Sequence, residues 1–421
     1  MPGAMGGFKL IKAARLIDGT GRPPVERGAA LVEGDTIRAI GTWEDVRPPE
    51  GATVQEFTYD GKTILPGLID CHVHLNGFGD GRRGDDLALL PDEVLVLQSA
   101  RNARAHLYSG VTALRDCGAK HATTLMLRKA VEMGITPSPR LILCGKPLAI
   151  IGGHLSYFGA EVTGADQCRA AVRQAIKDGA DFIKITATGG STRTSFPGLP
   201  SFNLDEMKAI CGEAHKFGRH TVAHCVAARG IINALDAGVD TIVHCSFMEP
   251  DGSRKFRPDV AERIAKQGVF VNPTLGQARV RIRALEGKAS QGSLTAAEAA
   301  ELEEMQRNTE ASMENVRRML SLGVTMVCGS DASWAWYPMG GFQHELEALA
   351  QAGMSPMQVI VSATFDSARS CWVADRLGTL EPGKQADVLV VDGDPSRDME
   401  ALWNVADVFL AGNRVDRDRF I

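Results

Sequence analysis

The chain has 421 residues, 44% of them hydrophobic, and a formal net charge of −5 at pH 7, which predicts one large domain with a smaller one. The charge and the absence of a Lys/Arg run argue against nucleic-acid binding, and no apolar run reaches the about 18 residues of a membrane span. The nine cysteines form no CxxC pair, and the N-terminus shows no signal-peptide pattern, so we expect a reducing, cytoplasmic location.

Short β-rich runs separated by turn residues occupy both ends of the chain. These runs are residues 10–17, 29–32, 36–40, 386–393 and 405–415. Neither end contains enough strands to be stable alone. We therefore predict that residues 1–65 and 375–421 together form one small β-sandwich domain.

Residues 66–374 alternate between predicted helices and apolar strands. The strands are residues 110–116, 140–144, 181–185, 220–224, 240–244, 268–272 and 323–328, and helices precede most of them. Gly110, Gly268 and Gly323 precede or begin these strands, at positions where helices commonly end. With a first strand near residue 69, this series favours an α/β fold with a (β/α)8 TIM-like barrel. A doubly wound parallel sheet is the alternative.

Two histidines follow the apolar run from Ile64 to Ile69, which is typical of a buried strand. On a strand, the spacing of His72 and His74 points both imidazoles to the same face. At the end of a strand such a pair can bind one metal ion, whereas a structural histidine pair is the alternative interpretation.

Other ligand-type side chains stand on or at the ends of the later strands. They are Lys184 on the fourth strand, His224 on the fifth, His244 on the sixth and Asp331 after the eighth. Because the carboxyl ends of barrel strands open on one face, we predict that these residues meet there. The histidines on or near helices, by contrast, are expected to be structural. These are His106, His121, His215 and His344.

Lys184 needs a separate explanation because a lysine on a buried strand is costly unless it is paired. A neutral lysine amine can react with carbon dioxide to give a carbamate, whose two oxygens could bridge two divalent cations. A salt bridge to a nearby carboxylate is the alternative.

This set of motifs resembles the amidohydrolase superfamily over nearly the whole chain. The matching stretches are Pro66-Gly67-Leu68-Ile69-Asp70 with the two histidines, Lys184, His224, His244, Gly329-Ser330-Asp331 and residues 377–388. Gly152-Gly153-His154 and residues 185–190 are similar to the binuclear, prolidase-like subgroup. That subgroup includes dipeptidases and amide- or urea-cleaving enzymes.

The resemblance implies two divalent metal ions, for which Zn²⁺ suits the ligands best. One would be bound by His72, His74 and Asp331 and the other by His224 and His244, with a carbamate on Lys184 between them. A hydroxide bridging the metals would attack the scissile carbonyl, with Asp331 as general base and then general acid. His154 would contact the substrate, or it is a loop histidine in solvent.

The chain departs from the dipeptidase pattern in one place. Those relatives tend to carry a tyrosine two positions after the fifth-strand histidine, where this chain has Val226. No arginine stands out for binding a substrate carboxylate; Arg193 on the fourth loop is one possibility, and a solvated loop arginine is the alternative. Aromatic residues near His154 and Asp331 either line a substrate pocket or pack as ordinary loop residues. They are Tyr157, Phe158, Trp334, Trp336 and Tyr337.

We therefore expect a metal-dependent hydrolase that cleaves an amide, urea or carbamate C–N bond of a small molecule. A metallo-dipeptidase or carboxypeptidase is the main alternative. Deamination or lactam opening is disfavoured by Lys184, and a catalytically inactive scaffold by the complete ligand set. No nucleic-acid or membrane partner is expected, and a homo-oligomer is left open. The Glu-rich helix predicted at 296–321 covers the barrel mouth or forms a contact surface.

Overall fold

The computed structural model describes residues 7–418. The N-terminal part consists of strands, which are β1 (Phe8–Leu16), β2 (Val25–Glu26), β3 (Gly28–Glu33), β4 (Thr36–Thr42) and β5 (Val54–Pro66).

The middle of the chain alternates strands and helices. Its elements are β6 (Leu68–Val73), α1 (Gly84–Leu87), α2 (Asp92–Tyr108), β7 (Val111–Asp116), α3 (Thr123–Glu132), β8 (Arg140–Leu143), β9 (Leu148–Ala149), β10 (Ala160–Glu161), α4 (Ala165–Asp178), β11 (Ile183–Ile185), α5 (Leu204–Lys216), β12 (Thr221–Ala227), α6 (Ala228–Ala237), β13 (Thr241–Met248), α7 (Pro258–Gln267), β14 (Phe270–Asn272), α8 (Gln277–Ser290), α9 (Ala296–Ser321), α10 (Gln343–Gln351), α11 (Pro356–Val361) and α12 (Ser367–Ser370). A π-helical turn, Ser362–Asp366, joins the last two helices.

The C-terminal part returns to strands. It contains β15 (Val388–Asp392), a 3₁₀ turn at Met399–Trp403, β16 (Val405–Leu410) and β17 (Asn413–Arg414).

Strands from both ends of the chain lie in one eight-stranded sheet. Its order is β17-β16-β15-β5-β1-β3-β4, with β2 paired to β1. Strand β15 pairs antiparallel with the C-terminal half of β5, so the two chain ends meet directly. The predicted association of the two ends is therefore present, as a single sheet. The division of the chain into domains at residues 65/66 and 374/375 stays a prediction.

Two parallel sheets lie between these ends, and the fold is mixed α/β. One has the order β6-β7-β8 and the other β10-β9-β11-β12-β13-β14. A backbone hydrogen bond from Asp181 N to Leu143 O (2.8 Å) links them on one side. On the other side, residues 325–332 hydrogen-bond to both β14 and β6.

The helices that separate these strands begin and end where local chemistry satisfies the backbone. Helices α5 and α9 both start with a capping box, in Asn203 with Glu206 and in Thr295 with Glu298. Helix α7 ends at Gly268, whose φ of 69° is a left-handed conformation that glycine adopts without steric cost.

Two details of the predicted strands are wrong. The apolar run from Ile64 to Ile69 is not one strand, because it divides at Gly67 between β5 of the terminal sheet and β6 of a parallel sheet. A Cβ at Gly67 would collide with the side chain of Thr112, so the close approach requires glycine. The predicted eighth strand, 323–328, makes only an isolated bridge, between Met326 and Val271.

Within residues 7–418, no helix combines the length and the apolar character needed to cross a bilayer. The nine cysteines are all buried and free.

Candidate active site

The predicted site residues line one cavity of about 610 Å³. Strand β6 carries His72, and His74 follows it directly; Lys184 lies in the middle of β11. Strands β12 and β13 carry His224 and His244, and each continues for several residues beyond its histidine. Asp331 and His154 complete the set in the cavity wall.

His72, His74 and Asp331 form the tightest group in the cavity. Asp331 Oδ1 lies 3.5 Å from His72 Nε2 and 3.4 Å from His74 Nε2. The candidate ligand atoms of the three residues are all within 4.8 Å of one another, so they could hold one metal ion. Two imidazoles and a carboxylate are ligands that suit Zn²⁺.

Hydrogen bonds orient the two imidazoles of this group. His72 Nδ1 donates to Asn272 Oδ1 (3.1 Å), and the Asn272 amide is itself fixed because its Nδ2 donates to Gly329 O (2.9 Å). His74 Nδ1 donates to Gly118 O (3.3 Å). Each Nε2 is therefore left with its lone pair, as is usual for histidines that bind metals.

The other two strand histidines are held in different ways. His244 Nδ1 donates to Thr274 Oγ1 (2.7 Å), whose hydroxyl donates to Pro273 O (2.8 Å). His224 donates through Nε2 to Gly189 O (3.0 Å), so its free lone pair is on Nδ1. The ring centroids of His224 and His244 are 4.6 Å apart, which brings the two rings into direct contact.

Burial favours the neutral form of four imidazoles in the cavity. Burial, with the charge of Lys184 and the neighbouring rings, lowers the pKa of His72, His154 and His244 well below 6.5. The same causes lower the pKa of His224 to about 3. A buried cluster of uncharged imidazoles next to a carboxylate therefore fits the binding of cations.

Lys184 is 1% exposed. Its Nζ lies 3.3 Å from His72 Nε2. Among residues 7–418, no carboxylate oxygen lies within the 4.0 Å of an ion pair from this ammonium. The salt-bridge alternative for Lys184 is thus not found in the described part of the chain.

The backbone at two candidate ligand positions is strained. His244 has φ of 68° and Asp331 has φ of 58°, a left-handed region that residues with a Cβ rarely adopt. Such conformations persist where the surrounding structure imposes them, and they cluster at functional sites. A backbone hydrogen bond from Asp331 N to His72 O (2.7 Å) helps to impose this one.

His154 is 7% exposed, so the interpretation as a loop histidine in solvent is wrong. Its ring centroid lies 4.3 Å from that of His224, and its Nδ1 lies 3.2 Å from Thr192 Oγ1. The ring packs closely over Gly190, where a Cβ would come within 2.6 Å of it. His154 is therefore a fixed part of the cavity wall.

The chain matches a known protein family. The model of a family described as the amidohydrolase family matches residues 63–415. The chain belongs to the amidohydrolase family. The resemblance predicted from its motifs is confirmed, and membership supports a hydrolase that acts on C–N bonds.

The relatives of this amidohydrolase include enzymes named for different substrates. An ochratoxinase of Aspergillus niger is 28% identical over 429 residues, which cover 93% of this chain and 83% of that protein. A solved Xaa-Pro dipeptidase with methionine in its active site is 27% identical, with a TM-score of 0.81, and covers 97% of this chain and 100% of its own. A prolidase solved with N-methylphosphonate-L-proline is 26% identical, with a TM-score of 0.81 and the same two coverages.

The aromatic residues of the amidohydrolase cavity divide into two groups. Trp334 and Tyr157 line the cavity, and the Trp334 ring centroid lies 5.0 Å from that of His74. Phe158 is buried against both. Trp336 and Tyr337 do not line the cavity; the Tyr337 hydroxyl donates to Gly341 O (2.6 Å). The pocket interpretation holds for the first group and the loop-packing interpretation for the second.

The arginine of the cavity wall is not the one that the sequence suggested. Arg193 does not line the cavity, and its guanidinium pairs with Asp86 at 3.1 Å. Arg254, in the segment after β13, lines the cavity instead. It stands in the sequence Asp251-Gly-Ser-Arg-Lys, which is typical of a solvated turn, so nothing in the sequence distinguishes it.

Two further polar residues of the site were not predicted. Gln277, the first residue of α8, donates to Asp331 Oδ2 at 2.9 Å. Asn272, which orients His72, ends strand β14. Its position at the end of a strand follows the same pattern as the predicted ligands, and this signal could have identified it. Gln277 lies in a loop-to-helix junction without such a pattern.

Proposed function

We propose that this amidohydrolase is a binuclear metal-dependent hydrolase that cleaves the C–N bond of an amide, urea or carbamate in a small molecule. The observation that supports it most is the packing of His72, His74 and Asp331 within 4.8 Å, on the same cavity as the other three predicted ligands. We propose two divalent ions, with Zn²⁺ the best match to nitrogen and carboxylate ligands.

The residues divide naturally between two ion positions. His72, His74 and Asp331 would hold one ion, and His224 and His244 would hold the other. A carbamate on Lys184, formed from its neutral amine and carbon dioxide with loss of one proton, would supply an oxygen to each. The absence of an ion-pair partner for Lys184 among residues 7–418 supports this, because the carbamate would replace a buried positive charge with a ligated negative one.

Bound divalent ions lower the pKa of water and polarise a carbonyl. Asp331 would accept the proton of the attacking water and deliver it to the leaving nitrogen. Gln277 holds Asp331 Oδ2 in place for this transfer. His154, fixed against His224, would donate a hydrogen bond to the substrate carbonyl.

The fold proposal that goes with this mechanism is a closed barrel. The hydrogen bonds that link the two parallel sheets on both sides support closure through residues 325–332. In such a barrel the site lies at the carboxyl ends of the strands. The sheet built from both chain ends would then be the small domain of residues 1–65 and 375–421.

A metallo-dipeptidase is the second candidate. The similarity to a Xaa-Pro dipeptidase and to a prolidase, each over 97% of this chain, favours it. Val226 stands where the tyrosine of the dipeptidase pattern is expected, and this weakens a strict dipeptidase assignment.

The test is a hydrolysis screen of the zinc-loaded enzyme. The panel contains N-acyl amino acids, dipeptides, aryl ureas and carbamates, and a chelated sample of the same enzyme is the control. We expect turnover of at least one C–N substrate that is lost on chelation and restored by added metal. Turnover that survives complete removal of metal, or no turnover of any member, would contradict the proposal.

A further inference from the structure

Arg254 stands in a short hairpin that follows β13. Its backbone bridges to Met248, and Lys255 N donates to Phe247 O (3.0 Å), so the hairpin is tied to the strand that carries His244. The guanidinium Nη1 donates to Asn308 O (3.0 Å) and to Ser312 Oγ (2.8 Å), both on α9. Arg254 is thus fixed on two elements at the cavity wall.

Helix α9 contributes further to the same wall. Met305, Asn308, Thr309 and Ser312 all line the cavity, so one face of this helix covers it. The helix therefore positions Arg254 and closes the cavity beside it.

Arg254 differs from the other arginines of this cavity in having no counter-charge. Arg82 pairs with Asp80 at 3.1 Å, and Arg83 lies 3.9 Å from Asp85. No carboxylate within residues 7–418 pairs with Arg254, and burial lowers its pKa. A partly buried guanidinium held by one nitrogen keeps its remaining donors for another acceptor, and its planar fork matches a carboxylate.

Aromatic residues line the same cavity as Arg254. Trp334 and Tyr157 present aromatic surface there, and Trp334 contacts His74. Arg254 also lines the cavity, in the hairpin that follows the strand of His244. The cavity of the candidate metal ligands therefore offers both an unpaired guanidinium and aromatic surface.

We infer that Arg254 binds a free carboxylate of the substrate, and that this enzyme selects amides with a carboxylate on one side and an aromatic or apolar group within reach of Trp334. N-acyl derivatives of aromatic amino acids are the simplest members of this class. The inference rests on the proposed function and names its substrate class. It also provides an anion-binding group in a chain that has Val226 in place of the tyrosine.

Binding of two inert probes tests the inference without turnover. N-methanesulfonyl-L-phenylalanine and N-methanesulfonyl-L-phenylalaninol lack an amide bond and differ in the carboxylate. Titration calorimetry on the zinc-loaded enzyme should show the acid binding about 10- to 100-fold more tightly than the alcohol, since that factor is typical of a hydrogen bond to a charged group. In R254Q this preference should fall below about 3-fold, with the alcohol bound as before.

R193Q is the matched control, because it removes an arginine outside the cavity and should keep the full preference. R254K, which keeps the charge but not the planar fork, should keep only part of it and provides the comparison if R254Q does not fold. A wild-type enzyme without preference for the acid, or an unchanged preference in both Arg254 variants, would overturn the inference.

The two proposals can fail separately. If the screen finds only uncharged ureas or carbamates as substrates and the acid is not preferred, the proposed hydrolase stands and the role of Arg254 falls. If no C–N bond is cleaved but R254Q removes the preference for the acid, the binding role stands and the proposed hydrolase falls.

Discussion

Buried charged groups have partners within the protein in the sheet formed by the two chain ends, whereas some in the cavity do not. In the sheet, Asp387 accepts from Arg140 Nε (2.7 Å) and from Ala411 N (2.8 Å). Asp407 accepts from Tyr59 (2.6 Å) and Arg414 (2.7 Å). Each buried carboxylate there is satisfied by the protein itself, so its charge serves stability.

In the cavity, two cationic side chains lack a partner of opposite charge. Lys184 and Arg254 have no carboxylate partner within residues 7–418. Burial lowers the pKa of four cavity imidazoles, which are His72, His154, His224 and His244. Uncompensated burial is costly, so its concentration at one place indicates a site that is completed by ligands. Unpaired buried charge, rather than charge itself, therefore distinguishes the candidate site in this molecule.

The largest expected effect comes from exchanging one carboxylate in each region for an amide. Asp331→Asn should lower kcat by about 10²- to 10⁴-fold, because the amide cannot accept the proton of the attacking water. Asp387→Asn is the matched control and should leave kcat unchanged while lowering the free energy of unfolding by about 1 kcal/mol. Steady-state kinetics and denaturant unfolding measure both; a normal kcat in Asp331→Asn would remove the contrast.

Glu345 offers a sharper test, because it is a buried carboxylate near the cavity without an ion-pair partner in the described chain. It accepts from Gly276 N (2.5 Å), and burial raises its pKa from 4.5 to about 8. The folded protein therefore holds a proton that the unfolded chain releases above about pH 4.5, and stability from this group is lost as the pH rises towards 8.

Glu345→Gln should thus stabilise the fold at pH 9 by about 2–4 kcal/mol and change little at pH 4. Urea unfolding of both proteins at the two pH values measures this. Equal stability at pH 9 would mean that Glu345 is ionised in the fold at little cost.

A smaller effect is expected from the groups that orient the imidazoles. Thr274→Val removes the acceptor of His244 Nδ1 with little change of shape and should weaken metal affinity by about 10- to 100-fold. Thr241→Val is the control, since this buried threonine is on the strand of His244 but contacts Ser370 Oγ (3.4 Å) rather than an imidazole. Competition with a chromophoric chelator measures both affinities, and an equal loss in the two variants would point to strand packing instead.

Much of this arrangement could be predicted from the sequence, because strand-end ligands follow a simple spacing. His72, His74, Lys184, His224 and His244 each stand on or just after an apolar run, and the parallel strands bring them to one cavity. Helix α9 has the predicted bounds because its capping box and periodicity are local signals.

What could not be predicted depends on contacts between distant segments. The break at Gly67 arises from the approach of Thr112, and the irregular segment before Asp331 is held by β6 and β14 rather than by its own residues. Arg254 is held at the cavity partly by α9, more than 50 residues later in the chain. The identity of a residue does not reveal such partners.

The most direct test is the metal content of the wild-type protein and of Lys184→Ala, measured by elemental analysis after expression with zinc. We expect about two ions per chain in the wild type. The variant should hold fewer ions and lose activity, and short carboxylic acids that replace the carbamate should partly restore it. A wild-type chain without metal, or a Lys184→Ala variant with both ions and full activity, would contradict the account.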